Sequence, residues 1–243
     1  MPRQRPLNCI PLLMVFPTGR YMKVVLVGLF VITCSMLLDW WNGIPEDAVA
    51  VYVGRASCIS CHQTQAAHFS ESHHDLAMDH ARPDTVLGDF DNAELTHLGV
   101  TSRMFRRGDQ FYINTEGPDG EKADFEVRYV LGVEPLQQYM VEFDRSEKMA
   151  KDAIARLQVL RLCWDTTGRR WFYLPPPDVQ DEKLSPDDAL HWTGITMRWN
   201  TSCADCHSTN LQKNYDVTTA TYQTTYSEID VSCEACHGPG SLH

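Results

Sequence analysis

Apolar positions follow different patterns in different parts of the chain. From Val24 to Leu38 they form a run of fifteen residues, preceded by Arg3, Arg5, Arg20 and Lys23. A basic stretch followed by an apolar one has the form of an export signal. The run is shorter than the roughly 20 residues a membrane span needs, but Trp40 and Trp41 extend it toward the interface, where such rings settle. Ala48-Val49-Ala50 has the small-residue pattern of a cleavage site. Residues 1–50 therefore read as a signal peptide or an N-terminal membrane anchor holding the chain through residues 24–41. Positive residues stay on the cytoplasmic side, so the remainder faces outward, into the periplasm or another extracytoplasmic space.

Farther on the apolar positions alternate. Phe105 to Ile113 reads as two strands about a Gly108-Asp109 turn, and Gly117-Pro118-Asp119-Gly120 is a strong turn signal. Phe125, Val127 and Tyr129 fall on one face of a strand. Leu157 to Leu162 and Arg170 to Leu174 are strand-like, with Gly168 between them, and Ser146 to Ala155 reads as a short helix or a loop. These runs predict an antiparallel sheet over residues 84–175, closed by Pro175-Pro176-Pro177. Before it lies a histidine-rich segment, 51–83. After it, residues 176–243 carry short polar connections, with a helix over Cys233 to His237 capped by Ser227.

The formal net charge of −11 offers nothing to a phosphate backbone, so nucleic acid is not an expected partner. Six of the nine cysteines fall into three C-x-x-C-H groups: Cys58, Cys61 and His62; Cys203, Cys206 and His207; Cys233, Cys236 and His237. Cys9, Cys34 and Cys163 are scattered. C-x-x-C-H is the attachment signature of c-type haem. Each cysteine sulfur forms a thioether to the porphyrin, and the two-residue spacing sets both sulfurs along one haem edge. The following imidazole then binds iron axially. A zinc ribbon or a thiol redox pair gives no reason for the repeated histidine, and disulfides are the remaining alternative in an oxidising compartment. The expected fold is thus α+β, with short helices and loops around three covalent haem c groups and an antiparallel sheet inserted between the haem sites.

The second and third groups start 30 residues apart, which suggests neighbouring haems, whereas the first lies 145 residues upstream of the second. For the sixth iron ligands, His73, His74 and His191 are the leading candidates. His68, His80, His97 and His243 are also available, as are Met78, Met140, Met149 and Met197. On a continuous helix His73 would lie about 16 Å beyond His62 and serve another haem, unless the chain turns back. A surface His-His pair and a core histidine are the plain alternatives for His73-His74 and His191. Tyr52, Trp192, Trp199 and Tyr222 suit either haem faces or ordinary core.

The chain resembles the multihaem cytochromes of the cytochrome c-552/4 family, of the kind often fused to tetratricopeptide repeats. The resemblance lies in Cys58-Ile-Ser-Cys-His62 with Ser72-His-His-Asp-Leu-Ala-Met78, His191-Trp-Thr-Gly194, Cys203 to Tyr215, and Ser227 to Gly240. It implies covalent haem c, electron transfer and an envelope location, and it strengthens His73 or His74, and His191, as axial ligands. Relatives continue past Gly238-Pro-Gly240 with more haem motifs and repeats, so the chain looks C-terminally truncated, with a further haem or repeat region expected as its partner. The expected function is electron transfer with redox partner proteins of the envelope. The alternative is the N-terminal part of a multihaem oxidoreductase acting on a small nitrogen or sulfur compound, and a scaffold role for the sheet is a third possibility. No residue is marked as catalytic.

Overall fold

The computed structural model describes residues 19–45, 47–179 and 182–243. Arg3, Arg5 and Cys9 lie outside them. The fold is α+β.

Helix α1 spans Gly19–Asn42. At 1.5 Å per residue its 24 residues extend about 36 Å. The stretch Tyr21–Trp41 is long and apolar enough to cross a membrane, and none of it is buried. The helix continues beyond the apolar run from Val24 to Leu38 at both ends, through Tyr21 and Met22 on one side and Trp40 and Trp41 on the other.

Residues 50–243 form a separate unit. Two short helices open it, α2 (Arg55–Ile59) and α3 (Gln63–Phe69). Next come strands β1 (Met78–His80), β2 (Ala93–His97), β3 (Val100–Arg107), β4 (Gln110–Glu116), β5 (Lys122–Leu131), β6 (Leu136–Phe143), β7 (Arg156–Asp165) and β8 (Arg170–Tyr173). Strands β2 to β8 pair in sequence order, each antiparallel to the next. Short turns suffice for such a meander. The first histidine-rich segment also joins the sheet. Strand β1 pairs with β5 at Met78↔Leu131 and His80↔Tyr129, beyond the end of the β4 pairing at Val127.

The sheet curls until β2 touches β8, where His97 stacks on Tyr173 with ring centroids 4.1 Å apart. Its concave side encloses Met104, Phe111, Ile113, Val127, Tyr139, Val141, Leu160 and Leu162, with Trp192 inserted from the following segment. The convex side carries Tyr129, Leu131, Met140, Leu157 and Val159. Phe125 and Val127 do share a face, but Tyr129 does not lie on it. A register shift between Val127 and Tyr129 adds one residue, which moves every later side chain of β5 to the opposite side.

After the sheet a 3₁₀ turn (Ile195–Met197) leads into α4 (Trp199–Ser202) and α5 (Ala204–His207). A small ribbon, β9 (Tyr215–Asp216) and β10 (Thr221–Tyr222), precedes α6 (Cys233–His237). The cap of α6 is Ser232, not Ser227. Ser227 instead accepts a bond from Asn210 and holds the connecting loop. Ser146 to Ala155 is a loop of turns.

Candidate haem-binding sites

The first and third C-x-x-C-H groups sit side by side. In the first, the His62 backbone N–H donates to the Cys58 carbonyl at 2.9 Å, so one turn carries both cysteines and the histidine. In the third, α6 holds Cys233, Cys236 and His237 within a single turn, and Gly238 ends it at φ 77°, a conformation that favours glycine. Helices α2 and α6 pack together. Burial pushes the Cys58 thiol up, and the adjacent Cys233 adds to the shift.

Two clamps hold this pair. Glu234, inside the third motif, is 2% exposed. Its carboxylate accepts from the backbone N–H of Val53 at 2.9 Å, Gly54 at 2.8 Å and Gly240 at 2.8 Å. Burial works to raise its pKa, and these three donors overcome that and lower it. Arg55, three residues before Cys58, pairs with Asp75, with Glu228 at 3.3 Å, and with both oxygens of Asp230 at 2.5 Å. Burial opposes its charge, but Asp75 and Asp230 raise its pKa regardless.

Between the two motifs is a cleft of about 240 Å³, open to solvent. Cys58, Cys233, Cys236, His62, His237 and His74 line it, with Ile59, Ala66, Phe69 and Val231 as apolar walls. His74 reaches the cleft because the helix does not continue. Helix α3 ends at Phe69, and Glu71 at φ 63° turns the chain back. The turn separates the histidine pair: His73 points to solvent, 3.5 Å from Glu134.

The second motif is docked on the convex face of the sheet. Trp199 and Ala204 are fully buried there. Asn200 imitates a neighbouring strand. Its Oδ1 accepts from the Leu157 N–H at 2.9 Å, and its Nδ2 donates to the Ala155 carbonyl at 2.9 Å. Cys206 is exposed, whereas burial pushes the Cys203 thiol up to about 11. His207 Nδ1 lies 3.2 Å from the Ala77 carbonyl. A ring N–H donated to a carbonyl fixes the tautomer and leaves Nε2 as the metal-binding nitrogen.

The three motifs converge on a short stretch of backbone. The His74 carbonyl accepts from Ala77 at 3.3 Å and from Val231 at 3.2 Å. Thr209, two residues past His207, donates to the Asp230 carbonyl at 2.8 Å and accepts from the Ser232 N–H at 2.9 Å. The third motif therefore meets the first directly and the second through Thr209, a closer tie to the first than chain spacing suggested.

Other candidates lie elsewhere. His191 is 6% exposed in a groove on the concave side with Leu160 and Trp192, and the structure does not bring it to any of the three motifs. The turn that places it needs Gly194, where a Cβ would come within 2.4 Å of the Ala189 carbonyl oxygen. Met78 and Met140 are buried in the convex core. His80 packs on Tyr129, centroids 4.9 Å apart, and His243 approaches the His62 ring at 5.8 Å. Trp192 and Trp199 are core residues, and Tyr222 pairs with Tyr215. Sequence reasoning passed over Arg55, Glu234, Asn200 and Thr209. None of the four carried a distinguishing local signal: Glu234 lies within a C-x-x-C spacer, but so does the exposed Asp205.

Comparison with known proteins bears on the same region. Residues 180–238, which include the second and third motifs, match the family described as cytochrome c554 and c-prime. The match supports a c-type cytochrome. Similarity to that cytochrome family implies covalently bound haem c. Among solved structures, the chain is similar to the outer cell wall cytochrome OcwA, at 20% identity and a TM-score of 0.45. The alignment covers 79% of this chain and 32% of that one, so the chain spans about a third of that protein's length. No curated protein matches the chain significantly.

The residues present fit such a group. Paired sulfurs stand at helix turns with an imidazole after each, a walled cleft lies between two of the turns, and Ser232 at that cleft has a buried hydroxyl with no partner among the described residues.

Proposed function

We propose that the chain carries three covalent haems and moves electrons between redox partners outside the cytoplasm. Cys58 and Cys61, Cys203 and Cys206, and Cys233 and Cys236 would hold the porphyrins, with His62, His207 and His237 as proximal ligands. The single observation that carries this reading is the convergence of all three C-x-x-C-H turns on residues 74–77 and 228–233. Structure without electron exchange gives no reason to gather three such turns. The haem supplies a one-electron iron couple. The protein holds it, orients each imidazole and walls off one side from water.

His74 is the best-placed sixth ligand, since it lines the cleft shared by the first and third motifs. A second histidine favours a closed, low-potential iron suited to electron transfer. The apolar surface of α1, all of it outside the core, supports attachment to a membrane by that helix. The acidic remainder favours a basic partner.

The test is optical. Protein matured with haem-attachment machinery should show a c-type reduced-minus-oxidised spectrum that is low-spin throughout and unchanged by carbon monoxide. A high-spin iron that binds carbon monoxide would favour the oxidoreductase reading instead.

A further inference from the structure

A second cavity, small at about 60 Å³ and open at its mouth, lies where β2 meets β8, on the concave side of the sheet and apart from the cysteine motifs. Its most unusual occupant is Arg161, 5% exposed on β7. Its Nε donates to the Leu190 carbonyl at 2.9 Å and its Nη1 to the Leu174 carbonyl at 3.2 Å. Among the described residues, Nη2 has no hydrogen-bond partner and no carboxylate pairs with Arg161. A buried guanidinium without a counter-charge is costly, and such groups are ordinarily paired. Burial lowers the pKa of Arg161 accordingly.

Two imidazoles face the same space. Nδ1 of His191 is taken by Thr193, whose hydroxyl is at 2.7 Å and whose backbone N–H donates to it at 3.3 Å. A neutral ring that accepts at Nδ1 carries its proton on Nε2, which has no partner among the described residues. Nε2 of His97, stacked on Tyr173, is buried and also unpartnered. Among the described acids at the rim, Glu116 is paired with Lys183 at 2.7 Å, and Glu182 is exposed to solvent. Leu160, Leu162 and Trp192 form the apolar wall.

We infer that this cavity binds a small organic monocarboxylate, whose oxygens meet Arg161 and the two imidazoles and whose apolar tail lies against Leu160, Leu162 and Trp192. One buried positive charge matches one negative charge, a planar fork matches a carboxylate, and the aliphatic wall favours a carbon tail over a bare inorganic ion. The site is independent of the haem reading.

The test is calorimetric titration of the full, mature chain with sodium butyrate, benzoate, sulfate and nitrate at constant ionic strength. Saturable one-to-one binding of butyrate or benzoate is expected. Arg161→Lys should weaken it at least tenfold, because loss of a charge-assisted bidentate contact costs that much. His191→Gln should weaken it several-fold, and Arg103→Gln, on the exposed face of β3, should leave it unchanged. If Arg161→Lys unfolds, His191→Gln, which leaves the two carbonyl clamps intact, carries the test. No saturable heat with either carboxylate overturns the inference, as does equal binding by wild type and both variants. Tighter binding of sulfate or nitrate than of either carboxylate also overturns it.

Discussion

Replacing Arg55 with methionine keeps the length of its stem and removes the charge that joins the first motif to the third. Asp75, Glu228 and Asp230 would be left facing one another, with side chains 17%, 18% and 11% exposed. Breaking a buried ion pair by removing one partner costs about 3–5 kcal/mol. Arg55 itself is 24% exposed, which places the cost at the lower end, about 3 kcal/mol. A unit of this size loses about 2–4 °C of Tm per kcal/mol, so Arg55→Met should melt about 6–12 °C below wild type. The effect depends on pH in a definite direction. Burial already raises the Asp230 carboxyl above its ordinary value, and Arg55 opposes that rise. An acid whose folded pKa is raised loses stability as pH climbs through the window between its unfolded and folded values. Without Arg55 that window extends upward, because burial and the other two carboxylates remain. The gap between variant and wild type should therefore be widest near pH 8 and narrow near pH 5, where Asp230 takes up a proton. Scanning calorimetry at both values measures it. A gap under 2 °C at pH 8, or one that widens on acidification, would refute the clamp.

Exchanging the two adjacent histidines separates their roles: His74→Ala should turn one iron high-spin in the oxidised spectrum, whereas His73→Ala should leave the spectrum unchanged. Trp199→Ala should cost about 3–5 kcal/mol in urea unfolding, since its ring is wholly buried beneath the second motif. Burial pushes the Cys163 thiol up to about 12, so iodoacetamide should leave it unmodified in folded protein at pH 8 and label it once the sheet is unfolded in urea.

The parts of the fold that were legible in the sequence are those fixed by local chemistry. Alternating apolar residues between glycine-rich turns give the meander, and C-x-x-C-H gives the cysteine turns, because both signals lie within a few residues of chain. Long-range geometry left no such trace. The strand Met78–His80 is only three residues long and is defined by its partner β5. The extra residue between Val127 and Tyr129 defeats alternation, since both sides of the bulge still look apolar. Spacing linked the second motif to the third, yet Glu234 and Arg55 bind the third to the first across more than 170 residues of chain. His191 stands beside Trp192 in a family-like motif, but Trp192 belongs to the concave core and takes the histidine with it, away from the cysteines.

Intact mass under denaturing conditions tests the central claim most directly. Mature protein should carry the mass of three haems that survive acid and organic solvent, and replacing both cysteines of any one motif with serine should remove the mass of one haem and no more. A chain at its bare polypeptide mass, or one lighter only by the hydrogens lost to cystine bridges, would contradict the account.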